Sequence, residues 1–170
     1  DGIKWSDGKD VTAGDFEYAW KRLVNPATAA DYNYMLDCVV NANEIMAGEK
    51  DPSELAVKAV DDKTFEVTLT TDLPYFEELC AFPAMMPVRQ DIIEAKGDQW
   101  TFDPSTYISN GPYKLTEWTH NSQIVMAKNE NYYDYANLGP DTITFKLMDD
   151  SNAMLSGFKS GELDYIQEAP

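Results

Sequence analysis

Histidine and cysteine are scarce in this chain. The 170 residues include one histidine, His120, and two cysteines, Cys38 and Cys80. These residues cannot supply the four ligands of a structural zinc site. His120 lies in a polar turn between two expected strands, whereas the base of a nucleophilic site is held rigidly by a third group. The scarcity therefore excludes structural zinc and disfavours histidine-dependent catalysis.

Basic residues and long apolar runs are also scarce. There are 13 Lys and Arg against 30 Asp and Glu, which gives a formal net charge of −17. That charge repels nucleic-acid backbones and anionic lipid, so we expect no nucleic-acid partner. No window reaches the roughly 18 apolar residues of a membrane span, and the N-terminus does not resemble a secretory leader. Either an upstream leader has been removed or the protein is cytoplasmic.

Sequence motifs for cofactors and metals are missing as well. The glycines form neither a dinucleotide fingerprint nor a phosphate loop, and no acidic stretch follows the calcium-loop pattern. The neighbouring acidic pairs at 61–62, 77–78 and 149–150 are typical of solvated surface charge rather than of a converging catalytic pair. We expect no metal, no cofactor and no catalytic activity.

The residues that are present predict a mixed α/β fold. Thr12 and Asp15 resemble a capping box ahead of a helix that ends at Asn25-Pro26. Alternation predicts a hairpin of 56–60 and 64–70, with Glu66 facing water and Val67 facing inward. Further helices are expected near 29–37, 41–47, 74–80, up to 97 and at 152–159, and further strands at 113–118, 124–128, 143–147 and 163–166.

The residues alone do not decide whether the two cysteines form a disulfide or whether the tyrosines contact a ligand. Cys38 and Cys80 each have apolar neighbours, which favours buried thiols over a disulfide without excluding the disulfide. The ten tyrosines include Tyr32 and Tyr34, just after the Asn25-Pro26 break. By composition alone such a cluster is more often packing material than a ligand platform.

Many ordered short motifs resemble one family, the oligopeptide-type extracellular solute-binding proteins of bacterial ABC importers (family 5). The motifs are Lys4-Trp5-Ser6-Asp7-Gly8, Val11-Thr12-Ala13, Asp15-Phe16, Tyr18, Trp20-Lys21-Arg22-Leu23, Asn25-Pro26, Thr28-Ala29, Val57-Lys58-Ala59-Val60-Asp61-Asp62-Lys63-Thr64, Pro74-Tyr75-Phe76, Phe82-Pro83, Gly97-Asp98-Gln99-Trp100, Ser109-Asn110-Gly111-Pro112-Tyr113-Lys114-Leu115, Lys128-Asn129, Asn131-Tyr132-Tyr133-Asp134 and Ser160-Gly161-Glu162-Leu163-Asp164. The resemblance extends over almost the whole chain.

The resemblance implies an internal fragment of a larger, two-lobed protein with a type II periplasmic-binding-protein-like fold. Residues 1–89 would be the extra small α/β domain and 90–170 part of the first ligand-binding lobe, with the second lobe absent. The implied function is capture of oligopeptides for a membrane permease, by a monomer that is lipid-anchored outside the cell membrane or periplasmic. Alternatives are an oligosaccharide-binding relative and, in another class, a carboxylate-based glycosidase.

The resemblance also implies four ligand-binding residues. Tyr32 matches a tyrosine that lines the peptide cleft, and Phe82 matches a position that borders a side-chain pocket. Gln167 and Glu168 fall where the last strand of the first lobe reaches the cleft, although they depart from the usual residues there.

Overall fold

The computed structural model describes residues 2–168 and 170, which form helices and two antiparallel sheets. The α-helices are α1 (Ala13–Val24), α2 (Ala42–Met46), α3 (Phe76–Leu79), α4 (Gln90–Lys96) and α5 (Ser151–Ser160). The strands are β1 (Val57–Asp61), β2 (Thr64–Val67), β3 (Tyr113–Thr119), β4 (Gln123–Lys128) and β5 (Thr142–Lys146). No described helix has both the length and the apolar character that a membrane crossing requires.

Helix α1 begins at the expected capping box. The Asp15 carboxylate accepts hydrogen bonds from the Thr12 backbone N–H at 2.8 Å and from the Thr12 hydroxyl at 3.2 Å. These bonds satisfy polar groups that the first helical turn would otherwise leave unpaired. One face of the helix then buries Trp20, whose indole N–H donates to the Met85 carbonyl at 2.9 Å.

Strands β1 and β2 form the expected hairpin, with Val57 opposite Val67 and Ala59 opposite Phe65. Val67 is half-buried and Glu66 is exposed, so the predicted alternation is confirmed. The Glu17 carboxylate accepts a hydrogen bond from the Ala59 backbone N–H at 2.7 Å. This bond attaches helix α1 to strand β1.

A hydrophobic core fills the space between α1, the hairpin and the segments around α2 and α3. Its buried members are Ala19, Trp20, Leu23, Val24, Leu36, Cys38, Val39, Ala42, Ile45, Leu55, Val57 and Met85. The Trp20 ring meets the edge of the Phe65 ring at a centroid distance of 5.1 Å. The core is therefore concentrated in the first half of the chain.

The second sheet has the order β3-β4-β5 and lies outside this core. Leu115 pairs with Met126, which in turn pairs with Ile143. Beyond Ile93, Asn129 is the only buried residue in the described part of the chain, and Phe145 on β5 is exposed. This sheet therefore leaves apolar side chains uncovered by the described residues.

Arg89 lies at the centre of an ion-pair network between the first turn of the chain and α4. Its guanidinium donates to Asp7 at 2.7 Å and to both carboxylate oxygens of Asp91, at 2.8 and 2.7 Å. Lys9 contacts the same Asp91 at 2.9 Å, and the guanidinium carbon lies 5.8 Å from the centroid of the Trp5 ring. Only 7% of the Arg89 side chain is exposed, so its guanidinium is shielded from water, whereas Lys9 and Asp91 are exposed.

The turn that carries Asp7 also contacts the segments around the second sheet. The Ser6 backbone N–H donates to the Ser109 carbonyl at 2.7 Å, and the Asn131 side-chain amide donates to the Ser6 carbonyl at 3.2 Å. The turn is thus held on one side by Arg89 and on the other by residues flanking the sheet.

Two expected elements differ from the structure. The strand predicted at 163–166 is wrong, because these residues do not form a strand and no described strand pairs with them through a ladder of hydrogen bonds. The helix expected near 29–37 is reduced to a 3-10 turn at Asn33–Leu36. Ala29, with φ of 50°, adopts a left-handed conformation that interrupts a longer helix.

We expect Arg89→Ala to destabilise the full-length protein. Removing the guanidinium leaves Asp7 without its partner in a partly buried site, at a cost of about 3 kcal/mol in the free energy of unfolding, the lower end of the range for a broken buried pair. Urea-induced unfolding measures this change. Lys146→Ala, which breaks the exposed pair with Glu162, is the matched control and costs less than about 1 kcal/mol. Equal losses in the two variants would contradict the structural role of Arg89.

The pH dependence of stability provides a second test of this network. Hydrogen bonds from Arg89, and then from Lys9, hold the pKa of Asp91 well below its usual range. The pair therefore stabilises the fold fully above the unfolded-state pKa of about 3.9, and this contribution is lost as the pH falls through the folded-state pKa. The melting temperature of the wild type should exceed that of Asp91→Asn at pH 5–8, and the gap should shrink progressively below about pH 4. A gap that is unchanged down to about pH 2 would count against the ion pair.

Candidate functional site

Two of the predicted site residues, Tyr32 and Phe82, meet on the surface of the first half. Their ring centroids are 5.1 Å apart, and the ring planes are inclined by 52°. Tyr32 is 49% exposed, whereas Phe82 is half-buried and packs against the core. The fold thus brings together two rings that are distant in the sequence, and one of them remains accessible.

Tyr34 extends this aromatic surface, although sequence reasoning did not assign it to the site. Its ring centroid lies 5.9 Å from that of Tyr32, and its side chain is 51% exposed. The Tyr-x-Tyr spacing could have indicated this residue, because a tight 3-10 turn places the two tyrosine side chains on the same side. We refer to Tyr32, Tyr34 and Phe82 together as the aromatic surface.

Short turns on the core hold the aromatic surface in place. Tyr32 precedes the 3-10 turn Asn33–Leu36, whose last residue, Leu36, is fully buried. Phe82 lies between α3 and the turn Pro83–Met85, and its carbonyl accepts the Met85 N–H at 2.9 Å. Because Met85 also receives the Trp20 indole hydrogen bond, the position of Phe82 is linked directly to helix α1.

The aromatic surface offers apolar faces and unused hydroxyl groups. Within residues 2–168 and 170, neither the Tyr32 nor the Tyr34 hydroxyl has a hydrogen-bond partner. A half-exposed tyrosine with such a hydroxyl can pack against an apolar group and donate or accept one hydrogen bond. This chemistry suits recognition of a polar ligand that carries apolar side chains.

Gln167 and Glu168 do not join this surface in the structure. Both are exposed, and no hydrogen bond, ion pair or ring contact connects either one to the aromatic surface in the described residues. Their assignment to the ligand site stays a prediction.

The charged residues beside Arg89 and the single histidine take part in contacts within the fold. An open depression of the surface beside Arg89 is lined by residues of the ion-pair network, including Lys9 and Asp91. His120 is exposed and packs on Trp118, with ring centroids 4.3 Å apart. Among the described residues, no three His, Cys, Asp or Glu side chains are placed so that they could hold a metal ion.

Comparison with known proteins identifies the family. The family model of "Bacterial extracellular solute-binding proteins, family 5 Middle" matches residues 1–170. Over 163 residues the chain is 41% identical to the periplasmic oligopeptide-binding protein OppA of Salmonella typhimurium, covering 95% of this chain and 30% of the relative.

Solved structures give the same result. OppA of Burkholderia pseudomallei superposes with a TM-score of 0.95 at 38% identity, covering 99% of this chain and 33% of that one. Haemophilus influenzae OppA, solved in complex with the peptide RPPGFSPFR, superposes with a TM-score of 0.90 at 37% identity, covering 95% of this chain and 32% of that one. The matched part has the periplasmic-binding-protein fold, as predicted. The chain belongs to the bacterial extracellular solute-binding proteins of family 5 and spans about a third of the length of the relatives it matches.

Proposed function

We propose that the full-length protein binds oligopeptides outside the cell membrane, as the substrate-binding component of an ABC importer, and delivers them to a membrane permease. The observation that carries this proposal is the aromatic surface, which the fold holds in place while leaving Tyr32 accessible. The similarity to OppA proteins, one of them solved with a bound peptide, supports the same ligand class.

The geometry of the aromatic surface suits a peptide of variable sequence. An extended peptide is held mainly through its backbone, and wet pockets can accept different side chains. Tyr32 would contact the peptide with its ring face and its hydroxyl, and Phe82 would border a side-chain pocket. Gln167 and Glu168 would contribute from the end of the first lobe, and Tyr34 adds a second exposed ring beside Tyr32.

We also propose a domain organisation, a cellular location and an oligomeric state. We assign residues 1–89 to a small domain and 90–170 to part of the first lobe, and the Arg89 network lies at this boundary. Related proteins are periplasmic or extracellular, and the proposed location is the periplasm or, through a lipid anchor, the outer face of the membrane. We propose a monomer without catalytic activity and without a nucleic-acid partner, in keeping with the net charge of −17.

Replacing Tyr32 by alanine should weaken peptide binding by the full-length protein. The change removes an aromatic contact and a hydroxyl, at a cost of about 1–3 kcal/mol in binding free energy. Tyr32→Phe should retain most of the ring contact and show a smaller loss. Isothermal titration calorimetry with a mixed pool of tri- to pentapeptides measures both changes.

The matched control is Tyr133→Ala. Tyr133 is also exposed, and its ring contacts Tyr132 rather than the aromatic surface. We expect the peptide affinity of this variant to equal that of the wild type. An unchanged affinity in Tyr32→Ala would place Tyr32 outside the binding site.

The ligand class can be read directly from the native protein. Mass spectrometry of the small molecules released from the full-length protein, purified under native conditions, should show a mixture of short peptides. A closed two-lobed site retains ligands of micromolar or tighter affinity. Bound peptides should therefore stay with the protein during purification and be released afterwards for the measurement. Recovery of oligosaccharides in place of peptides would contradict the proposal.

A further inference from the structure

The two cysteines of the chain occupy the same hydrophobic core. Cys38 is buried, with 6% of its surface exposed, and Cys80 is half-buried against the same cluster. Both are thiols in the structure. Neither is used by the aromatic surface or by the Arg89 network.

The backbone around Cys38 is fixed on one side by an extended pairing. The Cys38 carbonyl accepts hydrogen bonds from the Thr70 backbone N–H at 2.8 Å and from the Thr70 hydroxyl at 3.1 Å. The next residue, Val39, forms an antiparallel bridge with Leu69. Cys38 is therefore held beside the segment that leads into α3 and Cys80.

The segment containing Cys80 is fixed as well. The Cys80 backbone N–H donates to the Phe76 carbonyl at 3.1 Å, and the Phe76 ring lies 6.2 Å from the Trp20 ring in an edge contact. Two residues after Cys80, the Phe82 ring contacts Tyr32, which precedes Cys38 by six residues. The Tyr32–Phe82 contact thus connects the two cysteine segments on one side, and the Val39–Leu69 bridge connects the Cys38 segment to the chain that leads into α3.

The surroundings of the two cysteines raise the pKa of each thiol. Burial raises the pKa of Cys38, and the neighbouring Asp37 adds to this rise. Burial also raises the pKa of Cys80, which is raised further by Cys38 and then by Glu77. Both thiols therefore belong to the same buried region.

We propose that Cys38 and Cys80 form a disulfide bond when the protein meets a disulfide oxidant in its extracytoplasmic compartment. Only the choice of compartment rests on the proposed function, since disulfides persist where the environment is oxidising. The bond covalently links the segment that carries Tyr32 to the segment that carries Phe82. The aromatic surface is thereby fixed without any change to its exposed faces.

The reaction is a two-step exchange with a small disulfide such as oxidised glutathione. One cysteine thiolate attacks a glutathione sulfur and releases one reduced glutathione, forming a mixed disulfide. The second cysteine then attacks the protein sulfur of that mixed disulfide and releases the second glutathione. The two thiol protons pass to the two departing glutathione thiolates, and the two electrons lost by the cysteines reduce the oxidant.

Peptide mapping of the full-length protein tests the bond. The protein is incubated with oxidised glutathione, denatured, alkylated with iodoacetamide and digested with trypsin without reductant. Cleavage after Arg22, Lys50, Lys63 and Arg89 places Cys38 in peptide 23–50 and Cys80 in peptide 64–89. We expect these two peptides to appear as one linked species, lighter than their sum by two hydrogen atoms, which dithiothreitol separates.

Two single variants and a melting curve complete the test. Cys38→Ala and Cys80→Ala should each abolish the linked species. Oxidation should raise the melting temperature of the wild type by about 5 °C, because the bond closes a long loop, and should leave that of either variant unchanged. The linked species together with this rise supports the proposal.

The mapping detects a bond between two sulfur atoms, and peptide binding is measured in a separate experiment, so the two outcomes can be distinguished. Full alkylation of both cysteines after oxidation, or glutathione attached to each cysteine without a link between them, would overturn the proposal. A protein that binds peptides but shows either of these results would refute the disulfide alone. A linked protein that binds no peptide would refute the proposed function alone.

Discussion

The ion pairs of Arg89 hold together the parts of the chain that no common core connects. In the part of the chain that the structure describes, the buried residues lie before residue 94 except for Asn129, which directly follows β4. Among the described residues, fully buried apolar side chains therefore do not connect the sheet to the small core. Arg89 instead holds the turn that contains Ser6 and Asp7, and that turn receives hydrogen bonds from residues flanking the sheet. A planar guanidinium suits this role because it donates to two carboxylates in fixed directions.

The same core that anchors helix α1 also supports the aromatic surface. Trp20 packs on Phe65 of the hairpin and donates to the Met85 carbonyl, just beyond Phe82. The surface is therefore a consequence of core packing rather than a separate loop structure. Rigid support of this kind lowers the entropy lost when a ligand orders the residues that it contacts. It also explains how an exposed tyrosine can keep a defined position.

Local patterns predicted helix α1 and the hairpin of β1 and β2 in the first half of the chain. The Thr12–Asp15 capping box and the alternation around Val67 each depend on neighbouring residues, so sequence alone could reveal them. The Arg89 network could not be predicted, because Asp7 and Arg89 meet only through tertiary structure. The expected strand at 163–166 failed for a similar reason, since strand propensity does not provide a partner strand. Tyr32 and Phe82 were assigned to the ligand site through family resemblance, and this assignment stays a prediction, whereas composition favoured ordinary packing.

The central claim, that the aromatic surface forms part of a peptide-binding cleft, is tested most directly by a crystal structure of the full-length protein with a bound peptide. We expect peptide atoms within about 4 Å of the Tyr32 and Phe82 rings, the distance of ordinary apolar contact. We also expect a peptide backbone held in an extended form by main-chain hydrogen bonds. A structure in which the peptide binds elsewhere, or in which the rest of the protein covers both rings, would contradict the claim.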